Sequence, residues 1–194
     1  MNKYLILISL LHLFSNPILG NEGSEVAVVY NSLLHESKSV ADHYAKSRHV
    51  PANNLIGLPL SKNHTIPRAE FIKTLEKPII RTLAKRKLLN GNTGTIRYLL
   101  MCWGVPFRVD KDNSIKSPEG IPASLHRNEA SVDSELSLLP QYSDRIERTG
   151  VIKNPVFNTT NPKSISPDNG LLMVARLDGP VSYTHLTLPT TPYV

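Results

Sequence analysis

The chain has 194 residues, a single cysteine (Cys102) and a formal net charge of +6. One cysteine excludes an intrachain disulfide and with it a cysteine-rich secreted scaffold, so stability must come from an ordinary hydrophobic core. The basic excess is concentrated at Arg81 and Lys85–Lys87, where it suits the carboxyl end of a helix, and no nucleic-acid-binding motif accompanies it. We therefore expect no nucleic-acid partner.

Residues 1–20 have the three-part layout of a secretory signal peptide. The basic start Met1-Asn2-Lys3 precedes an almost wholly apolar run from Tyr4 to Phe14, and Gly20 supplies a small residue at the expected cleavage point. The apolar run is too short to cross a bilayer core, which needs about 20 residues. We expect cleavage after Gly20 and a mature protein without a transmembrane segment, exported to the periplasm, the cell surface or the medium.

The mature chain begins with a strand, a helix and a second strand. The continuous apolar run Val26–Tyr30 is typical of a strand that is covered on both faces. An amphipathic helical pattern follows from Glu36 to His49 and stops at Val50-Pro51, because the residue before a proline avoids the helical region. Leu55–Leu58 is then predicted as a short strand.

A second helix is predicted to start at Thr65-Ile66-Pro67, with the proline in its first turn. Its buried face is expected to hold Ile72, Leu75, Ile79 and Leu83. Pro78 lies inside this pattern and should kink the helix or split it in two. Residues 90–94, rich in Asn and Gly, are predicted to be a loop.

The second half of the domain contains two more strands and a short helix. Thr95–Trp103 is the third predicted strand, and a long polar excursion follows over residues 110–128. Ser131 is expected to cap a helix that reaches Leu139. Leu171–Leu177 is the fourth predicted strand.

This order of elements predicts an α/β domain over residues 21–180, with a largely parallel sheet and flanking helices. Sites in such domains lie at the carboxyl ends of the strands. We therefore expect a site near residues 31–35, 104–108 and 176–179.

Residues 181–194 do not continue this pattern. They contain no charged residue and no glycine, and they closely resemble one reading frame of a transposase adapter used in sequencing libraries. We expect the natural chain to depart from this sequence at about Pro180. On that interpretation the α/β domain is C-terminally truncated and the last residues are an unstructured, adapter-derived tail.

Four segments carry a family resemblance: Val28–Ser32, Tyr98–Arg108, Ala130–Leu136 and Leu172–Pro180. Together they resemble an uncharacterised family of secreted bacterial proteins found in species with the exosortase, or PEP-CTERM, protein-sorting system. The resemblance implies an envelope context, with envelope or surface proteins as partners, and a chain longer than this one. It implies no activity, cofactor or catalytic residue.

A more distant resemblance is to caspase- and gingipain-like cysteine peptidases, so that the layout is either Rossmann-like or of this peptidase type. Their chemistry needs a Cys and a His near the carboxyl ends of neighbouring strands. Here the third strand ends in Trp103-Gly104 and the fourth in Asp178-Gly179, while Cys102 lies within a strand and suits a small buried apolar role. A dyad would have to lie beyond Pro180.

Asp133, Glu135 and Asp178 are the acidic candidates for a site. Carboxylates from a helix start and a strand end could converge to bind a metal or to act as acid and base. Alternatively, Asp133 is a helix-start charge and Asp178 a turn residue, without chemistry. Residues two apart on a helix also point in different directions.

Among the basic residues, Arg108 and Arg176 lie near strand ends and could bind a carboxylate or phosphate. The alternative is a structural ion pair with Asp133 or Asp178. His35 and His126 are further titratable candidates that suit ordinary surface positions. No phosphate loop, dinucleotide fingerprint or paired-cysteine zinc spacing occurs, so no cofactor is predicted.

Three functional hypotheses follow. The first is an exported envelope protein of unassigned activity, linked to exosortase sorting. The second is a caspase- or gingipain-like hydrolase whose dyad lies beyond Pro180. The third is a module that binds surface proteins or polysaccharide, which predicts exposed aromatic side chains or appended domains.

Overall fold

A computed structural model of the protein describes residues 22–115, 119–120, 122, 126–141, 158, 160 and 165–179. The predicted signal peptide (1–20) and the predicted adapter-derived tail (181–194) lie outside the described residues, as does part of the predicted excursion over 110–128. Within the described ranges, none of the helices combines the length and the apolar character that crossing a membrane requires.

Short strands and helices alternate along the described chain. The strands are β1 (Val26–Asn31), β2 (Leu55–Leu58), β3 (Thr65–Ile66), β4 (Leu89–Asn90), β5 (Thr93–Gly94), β6 (Tyr98–Cys102), β7 (Arg108–Val109), β8 (Ala130–Ser131) and β9 (Met173–Leu177). The helices are α1 (His35–Ser47), α2 (Arg68–Glu70), α3 (Lys77–Lys85) and α4 (Val132–Ser137), and a π-helical segment, Phe71–Glu76, joins α2 to α3.

Four of these strands form a parallel sheet in the order β2-β1-β6-β9. In register, Val28 of β1 pairs with Leu55 and with Leu100, and Leu100 pairs in turn with Ala175. Numbered within this sheet alone, the order is 2-1-3-4, the flavodoxin-like arrangement of doubly wound folds, in which β1 and β6 lie at the point where the strand order reverses. The predicted α/β fold with a parallel sheet and flanking helices is confirmed.

Burial on both faces of the sheet explains the continuous apolar runs of its strands. On one face, Val28 packs with α1 and with Leu100 and Cys102. On the other face, Ala27 and Val29 pack with the core that includes α3 and the π-helical segment. Alternate residues of one strand therefore lie in two different cores, and polar alternation disappears from the sequence.

The predicted interruption at Pro78 is present as the π-helical segment. A proline has no N–H, and its ring would collide with the carbonyl group four residues earlier, at Thr74. The helix widens just before this residue, where the Lys77 N–H donates to the Ile72 carbonyl oxygen five residues back. The apolar face therefore continues through the interruption, with Leu75, Ile79 and Leu83 all buried.

Two local predictions were wrong. Residues 90–94 are not a simple loop, because β4 and β5 pair there as a short antiparallel hairpin. Thr65 and Ile66 do not start the helix but form β3, which pairs with β7 and thereby joins β8 in a second small sheet. The helix begins at Arg68, after Pro67, because the residue before a proline favours extended backbone.

Candidate functional site

The three predicted strand-end segments meet at the carboxyl edge of the parallel sheet. An open cleft of about 960 Å³ lies there, lined by Leu34 after β1, by residues 103–108 after β6, and by Arg176 and Asp178 from the end of β9. The small sheet of β3, β7 and β8 and the segments that lead into it add residues 62–64 and 129–131 to the lining. This carboxyl-edge cleft borders the ends of β1, β6 and β9, on the sheet edge where doubly wound folds hold their ligands.

Asn31, the last residue of β1, ties three loops of the carboxyl-edge cleft together. Its fully buried side-chain amide donates to the carbonyl oxygens of Leu60 at 3.1 Å and Gly104 at 3.0 Å. Its Oδ1 accepts from the backbone N–H groups of Leu33 at 3.1 Å and Leu60 at 3.2 Å. The loops that follow β1, β2 and β6 therefore share one buried anchor.

Arg176 holds the same turn from the opposite neighbour of β6. Its guanidinium donates to both carboxylate oxygens of Asp133, at 3.2 Å and 2.5 Å. It also donates to the carbonyl oxygens of Val105 at 2.7 Å and Pro106 at 3.2 Å. The structural ion pair foreseen for Arg176 is therefore present, and Asp133 neutralises the cation that a ligand would otherwise meet.

Glu135 points away from the carboxyl-edge cleft. Its Oε1 accepts from Arg68 Nη1 at 2.9 Å, and the two side chains are only 10% and 5% exposed. Asp133 and Glu135 are two positions apart on α4, about 200° around the helix, so they cannot face the same rim. Ser131 caps α4 as predicted, since its side chain accepts from the Asp133 N–H at 3.2 Å.

The structure thus brings Asp133, Arg176 and Asp178 to one cleft and leaves Glu135 outside it. Asp178 is exposed at the rim and forms no ion pair with another described residue. In the described part of the chain, no three His, Cys, Asp or Glu side chains are grouped closely enough to hold a metal ion.

Of the remaining basic and histidine candidates, one lines the cleft and two do not. Arg108 is exposed in the cleft lining, and its backbone N–H donates to the His64 carbonyl oxygen at 3.2 Å. His35 and His126 are exposed and do not line the cleft. Glu129 also lines the cleft, and a hydrogen bond from its own backbone N–H lowers the pKa of its carboxyl group. The guanidinium of Arg127 lies 3.6 Å from this carboxylate.

Two aromatic residues of the carboxyl-edge cleft were missed as site candidates. Trp103 is half-buried in the lining, and Phe107 is 46% exposed there. The Phe107 ring lies 5.2 Å from the ring of His64, tilted by 38°. The sequence did offer a signal for these two residues, because an aromatic residue stands at each end of the Gly-Val-Pro turn. The position of His64 beside Phe107 could not be predicted, because His64 directly precedes β3, a strand that the sequence did not reveal.

Cys102 is not a nucleophile in this arrangement. The residue is fully buried, in the core on the α1 side of the sheet. Burial raises the pKa of its thiol to about 12, although the charge of Arg176 opposes the rise. At neutral pH the group is therefore an unreactive thiol, which agrees with its interpretation as a small apolar residue.

Comparison of the chain with models of protein families, with curated proteins and with solved structures gave no match. Function has therefore to be inferred from the residues of the carboxyl-edge cleft.

Proposed function

We propose that the protein is an exported bacterial envelope protein that binds a surface polymer in the carboxyl-edge cleft. The signal-peptide pattern of residues 1–20 supports export, and the four-segment family resemblance supports an envelope context alongside exosortase sorting. The cleft itself supports binding, because it lies where doubly wound folds hold their ligands.

The observation that carries this proposal is the exposed ring of Phe107, which stands on a backbone held by hydrogen bonds on both sides. Its backbone N–H donates to the His64 carbonyl oxygen at 3.0 Å, and its carbonyl oxygen accepts from the Val132 N–H at 2.9 Å. Leaving an aromatic side chain 46% exposed costs hydrophobic stabilisation. A ring on a backbone that is held on both sides needs little backbone ordering to bind a partner, which suits a recognition anchor.

The hydrolase alternative receives less support from the described residues. A thiol–imidazole dyad needs its thiol at an accessible strand end. Cys102 is the single cysteine of the sequence, and it is buried with a pKa near 12. A hydrolase of the caspase or gingipain type would thus need a dyad from outside the described residues, whereas binding needs only groups that line the cleft.

Trp103 provides a direct test, because it is the one tryptophan of the chain and lines the cleft. The mature protein would be titrated with neutral and acidic polysaccharides, peptidoglycan fragments and surface-protein peptides while Trp103 emission is followed. We expect at least one class to bind, and Phe107→Ala to weaken binding by about tenfold or more.

Tyr98→Ala is the matched control for this experiment. Tyr98 is also an aromatic residue, 40% exposed, but it lies at the start of β6 and outside the cleft lining. Equal losses in the two variants, or full binding by Phe107→Ala, would show that the cleft is not the binding site.

Export needs its own measurement. Residues 1–20 fused to an alkaline phosphatase lacking its own leader should give periplasmic activity, because that enzyme forms its disulfides only after export. A fusion with Leu10 and Leu11 changed to Asp should stay inactive. Activity from both fusions, or from neither, would contradict the signal-peptide interpretation.

A further inference from the structure

We propose that the polymer bound in the carboxyl-edge cleft is an acidic polysaccharide, with a sugar ring on Phe107 and its carboxylates on Arg108 and Lys62. This inference rests on the proposed function and specifies the ligand for the same site.

Most of the charged side chains that line the cleft are paired. Asp133 is neutralised by Arg176, and Glu129 lies 3.6 Å from the guanidinium of Arg127. The cations left over are Lys62 and Arg108, both exposed, and neither is paired with a carboxylate of the described residues. Among the described residues of the lining, Asp178 is the single carboxylate without an ion pair, so the unpaired charges favour an anionic ligand.

Arg108 lines the same cleft as the Phe107 ring. The residue directly follows Phe107, and β7 holds it between Thr65 of β3 and Ser131 of β8. Its backbone is therefore fixed while its guanidinium remains exposed. Guanidinium groups bind carboxylates with two parallel hydrogen bonds, which suits a carboxylate held beside a ring.

The short strands beside the cleft favour a sugar over a peptide as the ligand. A peptide that binds by strand addition needs a sheet edge that offers several residues in register. The small sheet beside the cleft has strands of only two residues, β3, β7 and β8, so it cannot hold an extended peptide in this way. A pyranose ring instead packs its C–H face on an aromatic ring. Its hydroxyl groups can then donate to Asp178 at the rim.

The test compares two oligosaccharides of equal length, an oligogalacturonate and the neutral oligogalactan obtained by reducing its carboxylates. Binding to the mature protein is followed by Trp103 emission. We expect the oligogalacturonate to bind at least about tenfold more tightly and to weaken as sodium chloride rises. Arg108→Gln and Lys62→Gln should each reduce its affinity by about threefold to tenfold.

Arg81→Gln is the matched control, because Arg81 is an exposed arginine on α3 outside the cleft lining. The affinity of this variant for oligogalacturonate should stay within about twofold of the wild type. If the neutral oligomer binds as tightly as the oligogalacturonate and Phe107→Ala weakens both, the ligand need not be acidic. The proposal that the cleft is the binding site would still hold. Preference for oligoglutamate over oligogalacturonate would overturn the sugar class, and so would no binding of oligogalacturonate at low salt. Binding that survives Phe107→Ala unchanged would overturn the proposed function as well.

Discussion

Asn31 and Arg176 hold three consecutive carbonyl groups of the turn that follows β6. Asn31 donates to Gly104, while Arg176 donates to Val105 and Pro106. Because β1 and β9 are the two neighbours of β6 in the sheet, the turn is held from both sides. Trp103 and Phe107 lie at the ends of this turn, so the two anchors hold the backbone between the two aromatic residues of the cleft.

Replacing Asn31 with Ala should destabilise the protein by about 3 kcal/mol. The change leaves the buried N–H and carbonyl groups of Leu60 without this partner, at a cost of about 1–3 kcal/mol for each buried group, and it also removes the part-buried bonds to Leu33 and Gly104. Urea unfolding of both proteins measures the difference. Asn53→Ala is the control, since the Asn53 side chain is exposed, and it should stay within about 0.5 kcal/mol of the wild type. A similar small loss for Asn31→Ala would contradict the anchoring role.

The parallel sheet could be predicted from the sequence because its strands and helices carry local patterns. The apolar runs around Val28 and Leu100 and the helical spacing of Leu75, Ile79 and Leu83 each need only neighbours along the chain. The second small sheet could not be predicted in this way. Strands of two residues, such as Thr65–Ile66, have no periodicity, and their pairing with Arg108–Val109 is a tertiary event.

The candidate site shows the same division. The rule about strand ends could bring the segments around Gly104 and Arg176 to one edge of the sheet, because it depends on topology alone. The sequence left open whether Arg176 pairs with Asp133, 43 residues away, or with Asp178, and it gave no sign that Glu135 pairs with Arg68. Those partners depend on the rotation of α4 against the sheet, which has no local signature.

Arg176→Lys should release the turn without unfolding the protein. A lysine ammonium cannot reproduce the four hydrogen bonds that the guanidinium makes to Asp133, Val105 and Pro106. We expect a loss of about 2 kcal/mol in the free energy of unfolding, together with greater quenching of Trp103 by acrylamide. A stability loss with unchanged quenching would mean that Arg176 stabilises the domain but does not position the turn.

The buried pair of Arg68 and Glu135 should behave as structure and not as part of a site. Glu135→Ala leaves the Arg68 charge buried without this partner and should cost about 3–5 kcal/mol. The double variant Arg68→Met/Glu135→Leu removes both charges and should recover most of that loss. Thermal unfolding of the three proteins measures this, and a double variant as unstable as Glu135→Ala would contradict the explanation.

Gly104 should be sensitive to substitution for two separate reasons. Its φ of 83° lies in the left-handed region, and an added Cβ would lie 2.6 Å from Leu34 Cδ1. Gly120 has nearly the same φ, 81°, with no atom within 4 Å of such a Cβ. In both alanine variants the free energy of unfolding should fall by about 1–2 kcal/mol from backbone strain, and in Gly104→Ala it should fall further.

Urea unfolding midpoints compare the stability of the two variants. The double variant Gly104→Ala/Leu34→Ala tests whether removing Leu34 Cδ1 relieves the excess strain of Gly104→Ala. Equal losses in Gly104→Ala and Gly120→Ala would show that the Leu34 contact adds no strain.

Cys102 should make the stability of the protein fall at alkaline pH. Burial raises the pKa of its thiol from the ordinary 9.0 to about 12 in the folded state. Between these values the unfolded chain loses the proton first, so the free energy of unfolding declines as pH rises, by up to about 1.4 kcal/mol per pH unit. Below pH 9 the contribution is complete and constant. Urea unfolding of the wild type and of Cys102→Ala between pH 8 and about 11 separates the effect of this thiol from that of other groups that titrate at alkaline pH. The free energy of unfolding should fall more steeply with pH in the wild type. Parallel pH profiles, or rapid labelling of the native thiol by a maleimide at neutral pH, would show that Cys102 is accessible.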